Sequence, residues 1–156
     1  MTDDHLYRPG VGIMLLNSDR KVWVGRRIDN RADAWQMPQG GLDEGEEPWA
    51  GAVRELEEET GIAPRLVERL GQCSERLRYD LPPEFATKVW SGKWKGQSQH
   101  WFAARFIGQD SDVDIATAHP EFRDWKWVDP SILPDLIVPF KRKLYEQLLR
   151  EFAGFL

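Results

Sequence analysis

The sequence predicts an α/β fold, a mixed β-sheet with helices packed on its faces. Three observations predict it. Apolar runs are short and stop at turn residues, as strands do. Residues 48–60 and the C-terminal stretch from Pro139 carry apolar side chains at helical spacing. The order strands, helix, strands, helix then suits a sheet covered by helices.

The elements follow in order. "YRPGVGIMLLN" (7–17) reads as a strand that ends at the turn "NSDR". "KVWVGRR" (21–27) alternates apolar and polar residues, so the two segments read as a hairpin. "WQMPQGG" (35–41) reads as a short strand running into glycines. Residues 48–60 read as a helix, with Pro48 in its first turn and Gly61 at its end. "LVERLGQCSERLRYDLP" (66–82) reads as one or two strands stopped by Pro82 and Pro83. "SQHWFAARFIG" (98–108) alternates and reads as a strand, as does "EFRDWKWVDP" (121–130). "PFKRKLYEQLLREFAGFL" reads as an amphipathic helix: Phe140, Leu144, Leu148 and Phe152 recur every four residues, with Leu149 beside them.

A chain of 156 residues suits one domain, 1–156, with a real core. Its net charge of −5 argues against broad binding along nucleic-acid backbones, DNA included. It leaves room for binding one end of a nucleic acid at a local basic site. Apolar runs such as "VGIMLL" are too short to span a bilayer, so no membrane partner is expected. The acidic start "MTDDHLY" lacks the apolar stretch of a secretory signal. The single cysteine, Cys73, rules out an internal disulfide and suits a reducing cytoplasm. Most of the eight tryptophans are expected in the core, a few being available to stack on bases. His5, His100 and His119 lack metal-ligand spacing. The sequence is silent on oligomeric state, with a monomer as the default.

The chemistry concentrates in "RELEEETG", where four of the five positions 55–59 are glutamate. At about 100° per residue, Glu55, Glu58 and Glu59 share roughly one third of the helix circumference. Trp49, Val53, Leu56 and Thr60 occupy another sector, expected to face the core, while Glu57 points to water. Like charges at this spacing repel by roughly a few tenths of a kcal/mol per pair. A solvated acidic face, offset by Arg54 four residues before Glu58, is the plain reading. A hard divalent cation such as Mg²⁺ or Mn²⁺ would turn the repulsion into attraction. Gly40, Gly41 and Gly45 precede the helix, and glycines let backbone approach a ligand closely. A glycine loop before a helix N-terminus is also a place for phosphate.

Residues 40–62 match the pattern G-x5-E-x7-R-E-U-x-E-E-x-G-U at every fixed position: Gly40, Glu46, Arg54, Glu55, Leu56, Glu58, Glu59, Gly61 and Ile62. On this box the chain resembles the Nudix hydrolases. "YRPGVGIML", "WQMPQGG", "GQSQHWF", "PEFRDWKWV" and "PFKR" extend the resemblance over nearly the whole chain. They look like the branch holding bacterial RNA 5′-pyrophosphohydrolases and asymmetric dinucleoside tetraphosphate hydrolases.

The resemblance implies an α/β/α sandwich, with the box as a loop–helix–loop. It implies Mg²⁺- or Mn²⁺-dependent attack of water on a phosphoanhydride. The expected substrate is the 5′-triphosphate or diphosphate end of RNA, with diadenosine tetraphosphate, split to ATP and AMP, as the rival. Glu55, Glu58, Glu59 and Glu121 are the expected metal ligands, and Glu58 or Glu121 the general base. Glu46, Arg54 and Gly61 are expected to hold the box together. Arg8, Arg26, Arg27 and Lys141 are candidate phosphate contacts, joined by Gln39, Gly40 and Gly41. Tyr79 and Phe140 are candidates to stack on a base, and Gln97 and Gln99 to line the pocket. A non-catalytic binding module on this fold would be expected to lose box glutamates, and all are present.

Overall fold

The structure is a computed structural model that describes residues 4–29 and 33–156, so part of the acidic start lies outside it. Its elements are β1 (Tyr7–Leu16), β2 (Val22–Arg27), β3 (Gln39–Gly41), α1 (Pro48–Thr60), β4 (Val67–Gln72), β5 (Leu77–Asp80), α2 (Pro83–Ala86), β6 (Gly96–Phe106), β7 (Phe122–Val128), α3 (Leu133–Leu136) and α4 (Arg142–Glu151). The seven strands form one sheet in the order β4–β6–β1–β2–β7, with β3 added to β1 and β5 to β6. β1 and β6 run parallel over ten registered pairs, from Tyr7↔Gly96 to Leu16↔Arg105. The other pairings are antiparallel, so the sheet is mixed as expected.

Helices cover both faces. α1 sets Ala52 and Leu56 against Val11, Ile13, Leu15 and Phe102. α4 sets Leu144, Tyr145 and Leu148 against Met14, Leu16 and Trp101. The double cover corrects two readings. "KVWVGRR" and "SQHWFAARFIG" do not alternate in burial: residues 22–25 and 101–104 are buried throughout. Central strands have no solvent face to keep polar.

Three boundaries also differ from expectation. Residues 35–41 form a strand only at Gln39–Gly41, with Gln36 making a single bridge to Gly25. Pro38 has no N–H to give to a ladder. The C-terminal helix is α4 alone, flanked by 3₁₀ turns at Pro139–Lys141 and Ala153–Phe155, so half-buried Phe140 precedes it. Of the eight tryptophans, only Trp23 and Trp101 are fully buried. Of the remaining six, half-buried Trp35, Trp49, Trp125 and Trp127 pack against the core, so most tryptophans belong to it as expected, and only Trp90 and Trp94 lie outside both clusters.

α1 meets its predicted limits. Glu47 caps its N-terminus, its side chain accepting from the Ala50 N–H at 2.9 Å. Gly61 closes the other end at φ 72°, its N–H donating to the Glu57 carbonyl at 2.9 Å. The short α2 and α3 carry no periodicity and escaped sequence reading.

Candidate active site

α1 turns its acidic face toward the end of the sheet where β3 lies on β1. Glu57 and Glu58 are exposed, Glu55 is half-buried and Glu59 is only 3% exposed. Glu59 therefore sits on the packed side of the helix with Leu56 and Thr60, which sequence reading did not foresee; Trp49 and Val53 are only half-buried. The Glu59 carboxylate accepts from the Gln39 backbone N–H, yet its Oε2 has no partner. Burial raises its pKa well above the usual carboxylate value, and the charges of Glu55 and Glu121 add to the rise, while Arg27 opposes it. Burial also raises Glu55, against the pull of Arg54.

Arg54 ties this face to the preceding loop. Its guanidinium donates to both Glu46 oxygens at 2.8 and 2.9 Å and to the Gly41 carbonyl at 3.0 Å. It also donates to Glu55 at 3.0 Å and Glu58 at 3.2 Å. The Arg54 fork drives the Glu46 pKa down to about 2. The Asp43 N–H reaches Glu46 as well, at 3.0 Å, which folds the loop over the helix start.

The loop glycines fit as expected at two places. A Cβ on Gly40 would overlap the Glu55 carboxyl, and one on Gly41 would overlap the Arg8 guanidinium. Gly40→Ala must push Glu55 aside. The expected result is a loss of about 10²-fold in kcat/KM with the fold intact, read by steady-state kinetics beside a melting curve, since an ångström of misplacement costs about that much.

Across from α1, β2 and β7 bring Arg27 to 3.2 Å from Glu121. Arg27 also holds Asp29 with two bonds of 2.8 Å. Arg26 is not brought to the site. It pairs with Asp33 at 2.6 Å and Asp124 at 3.2 Å, and its guanidinium lies 5.0 Å from the Trp35 ring. Adjacent strand residues face opposite sides, so only one of the two arginines can reach the carboxylates.

Lys141 is 7% exposed, with Nζ 4.7 Å from the centre of the Tyr79 ring. Burial brings its pKa down to about 8; Arg27 acts in the same direction and Glu59 against it. Tyr79 lies 5.9 Å from Phe140. Gln39 joins this wall through a buried relay of amides. Trp101 Nε1–H can only donate, and it does so to Gln99 Oε1 at 2.9 Å. The Gln99 amide N–H groups then donate to Gln39 Oε1 at 2.8 Å and Gln97 Oε1 at 2.6 Å. The Gln39 amide N–H in turn donates to the Tyr79 hydroxyl, while Gln97 Nε2 is buried with no partner.

A pocket of about 380 Å³ lies between Glu55, Glu58, Glu59 and Glu121, closed by Thr117 and His119. Thr117 was missed in the sequence, and His119 was set aside there for want of metal-ligand spacing. A larger hollow of about 600 Å³, among Asn17, Lys21, Arg105 and Trp127, holds none of the predicted residues. Among the described residues no three His, Cys, Asp or Glu side chains stand close enough to ligate one ion as placed. Arg54 draws Glu55 and Glu58 toward itself. The donor set still fits a hard cation: it is all carboxylate oxygen, and buried Glu59 Oε2 lacks a partner.

Residues 6–148 match the family model described as NUDIX domain. An RNA pyrophosphohydrolase of Sphingopyxis alaskensis is 55% identical over 147 residues, 94% of this chain and 93% of the relative. One from Zymomonas mobilis is 53% identical over 154 residues, 99% of each chain. Among solved structures, a C. elegans Ap4A hydrolase superposes with a TM-score of 0.67 at 22% identity, covering 94% of this chain and 98% of the other. An E. coli dihydroneopterin triphosphate pyrophosphohydrolase superposes with a TM-score of 0.69 at 20% identity, covering 91% and 96%. At these identities the superpositions establish the fold alone.

Proposed function

This chain belongs to the Nudix hydrolase family, and from that premise we propose that it removes pyrophosphate, or phosphate, from the 5′-triphosphate or diphosphate end of RNA. The observation that carries the reading is an acidic pocket with cations at its edge. Five carboxylates line it, Glu55, Glu57, Glu58, Glu59 and Glu121, and Arg27 stands 3.2 Å from Glu121, with Lys141 close enough to feel the charges of Arg27 and Glu59. Relatives at about half identity over nearly the full chain bear the name RNA pyrophosphohydrolase.

Nudix hydrolases depend on a divalent cation, and Mg²⁺ or Mn²⁺ suits the oxygen ligands here. Glu55, Glu58, Glu59 and Glu121 would hold it. When bound, it supplies charge neutralisation along the phosphate chain and makes water at the site more acidic. The chain's own residues do the rest. Arg54 orients Glu55 and Glu58. Glu58 or Glu121 takes the proton from the attacking water. Arg8, Arg27 and Lys141 hold phosphate oxygens, with Gln39 donating its amide N–H and the Gly40–Gly41 backbone allowing close approach. Half-buried Phe140 is left to stack on the base; Tyr79, expected to share that role, is only 7% exposed and packs in the core beneath Phe140 and Lys141. The free, buried Cys73 suits the reducing cytoplasm in which such RNA ends arise.

Lys141 gives the reading a pH signature. Its ammonium is charged below about 8 and neutral above it. The kcat/KM for triphosphorylated RNA is expected to fall as pH rises through about 8, and Lys141→Arg, charged throughout, is expected to remove that fall. Identical profiles for the two proteins would take Lys141 out of phosphate binding.

The function is tested by product release with Mg²⁺ from triphosphorylated RNA, diadenosine tetraphosphate and a buffer blank. Pyrophosphate from RNA, at a kcat/KM above that for the dinucleotide, is the expected result. The reverse ratio would make the chain a dinucleoside polyphosphate hydrolase.

A further inference from the structure

Residues 83–95, "PEFATKVWSGKWK", join β5 to β6 and serve none of the roles above. The whole chain carries −5, yet this segment holds three lysines against one glutamate. Lys88, Lys93 and Lys95 are exposed, Phe85 is 44% exposed, and Trp90 and Trp94 are half-exposed. Cations and aromatic rings therefore alternate along the exposed segment, in the order Phe85, Lys88, Trp90, Lys93, Trp94, Lys95. The backbone supports the display: Trp90, Ser91 and Gly92 take φ of 53°, 57° and 73° in succession. A left-handed conformation is uncommon for a tryptophan, and such outliers gather at functional sites.

The segment is continuous with the substrate end of the pocket at two points. The Phe85 ring lies 6.4 Å from Phe140, which packs at 5.9 Å on Tyr79. The Trp90 ring lies 5.2 Å from the guanidinium of Arg8, which itself packs on Gly41. Lys93 Nζ stands 4.8 Å over the Trp94 ring, which leaves an ammonium beside an aromatic face. Single-stranded nucleic acid is held in this manner, with bases stacked on rings and phosphates beside cations. A dinucleoside polyphosphate has no phosphodiester chain to reach these lysines.

We propose that residues 83–95 form a track for single-stranded RNA beyond its 5′-terminal nucleotides. Phe85 and Trp90 offer stacking faces, and Lys88, Lys93 and Lys95 meet the phosphodiesters. The proposal rests on RNA being the substrate, and it deepens that reading by supplying the means to prefer RNA over small polyphosphates.

The test compares the full chain with a Lys88→Gln/Lys93→Gln/Lys95→Gln triple variant and with Phe85→Ala. Substrates are a triphosphorylated dinucleotide, a triphosphorylated RNA of ~12 nucleotides, and diadenosine tetraphosphate, each across a salt series. The unmodified chain is expected to prefer the longer RNA by about 10-fold in kcat/KM, mostly through KM. The triple variant is expected to lose that preference and to lower the slope of log(kcat/KM) against log salt by about 2, from three lost phosphate contacts. Phe85→Ala is expected to lower the preference without changing the slope. Turnover of both small substrates should stay as it was, which also reports an intact fold. A length-independent kcat/KM in the unmodified chain, or a triple variant that keeps both preference and slope, would overturn the proposal. A triple variant with intact RNA parameters that no longer binds poly-glutamate would overturn it too, in favour of an acidic protein partner. If neither RNA is cleaved, the functional reading fails; if both are cleaved equally well, only the track does.

Discussion

Glu59→Gln is expected to lower kcat/KM by about 10³-fold or more and, in chelator-treated protein at neutral pH, to raise the melting temperature. The two effects have one source. Glu59 is buried, and one of its oxygens has no partner among the side chains around it. An unpaired buried carboxylate is unfavourable, and a glutamine of the same shape relieves it by about 1 kcal/mol, or roughly 2–4 °C for a chain of this size. A carboxylate positioned this way is useful when a cation joins it. Losing one such ligand removes several kcal/mol from the barrier reduction, which is on the order of 10³-fold in rate.

The sign of the stability effect can be checked with pH. The folded pKa of Glu59 lies above the ordinary 4.5. Its contribution is therefore fully present below 4.5 and lost as pH rises through the folded value. The variant's advantage should vanish in acid, where the native side chain is neutral too. Thermal melts of both proteins in chelator across pH 4–8, beside kinetics with added Mg²⁺, read both effects. A variant with native turnover would remove Glu59 from the catalytic set.

Arg54→Ala is expected to cost about 1–2 kcal/mol of stability and about 10²-fold in kcat/KM. Arg54 is the one side chain that joins Glu46, the Gly41 carbonyl, Glu55 and Glu58. Removing it leaves the half-buried Glu46 carboxylate without its counter-ion, and with solvent screening a loss of this kind is about 1–2 kcal/mol. Activity falls because Glu55 and Glu58 lose the group that orients them. Lysine cannot replace the planar fork that grips both Glu46 oxygens, so Arg54→Lys should recover only part of the stability.

Acid titration separates the clamp from general packing. The Glu46 pKa stands at about 2, below its ordinary 4.5. Its contribution is present above pH 4.5 and is lost as pH falls through about 2. Denaturant midpoints measured from pH 5 to 2 should fall less steeply for Arg54→Ala than for the unmodified chain. Parallel acid limbs would show that the Glu46–Arg54 pair contributes nothing specific.

These residues also mark what the sequence reveals and what it hides. The limits of α1 were legible because Pro48 and Gly61 act locally; helical winding grouped Glu55, Glu58 and Glu59, but not that Glu59 turns to the packed side while Glu58 stays exposed. The box pattern brought Glu46 and Arg54 together on paper as the fold does in space. What stayed hidden depends on partners distant in sequence. The parallel pairing of β1 with β6, about 90 residues apart, decides that Gln99 meets Gln39. The pairing of β2 with β7, with its shift between Arg26 and Arg27, decides which arginine faces Glu121. Neither choice is written in local composition. "PFKR" marks Lys141 as a candidate phosphate contact but does not show its burial, which comes only from the packing of the turn before α4 against Tyr79. The lysine- and tryptophan-rich segment 83–95 has no period, so its display emerges only once Phe140 and Arg8 are in place.

Manganese binding followed by electron paramagnetic resonance tests the central claim most directly. The unmodified chain should capture Mn²⁺, seen as loss of the free-ion signal, and capture should tighten with a non-cleavable triphosphate analogue. A Glu58→Gln/Glu59→Gln double variant, folded by circular dichroism, should leave the ion free at the same concentrations. If that variant captures manganese as well as the native chain does, the acidic face of α1 is not where the cation works, and the account is wrong.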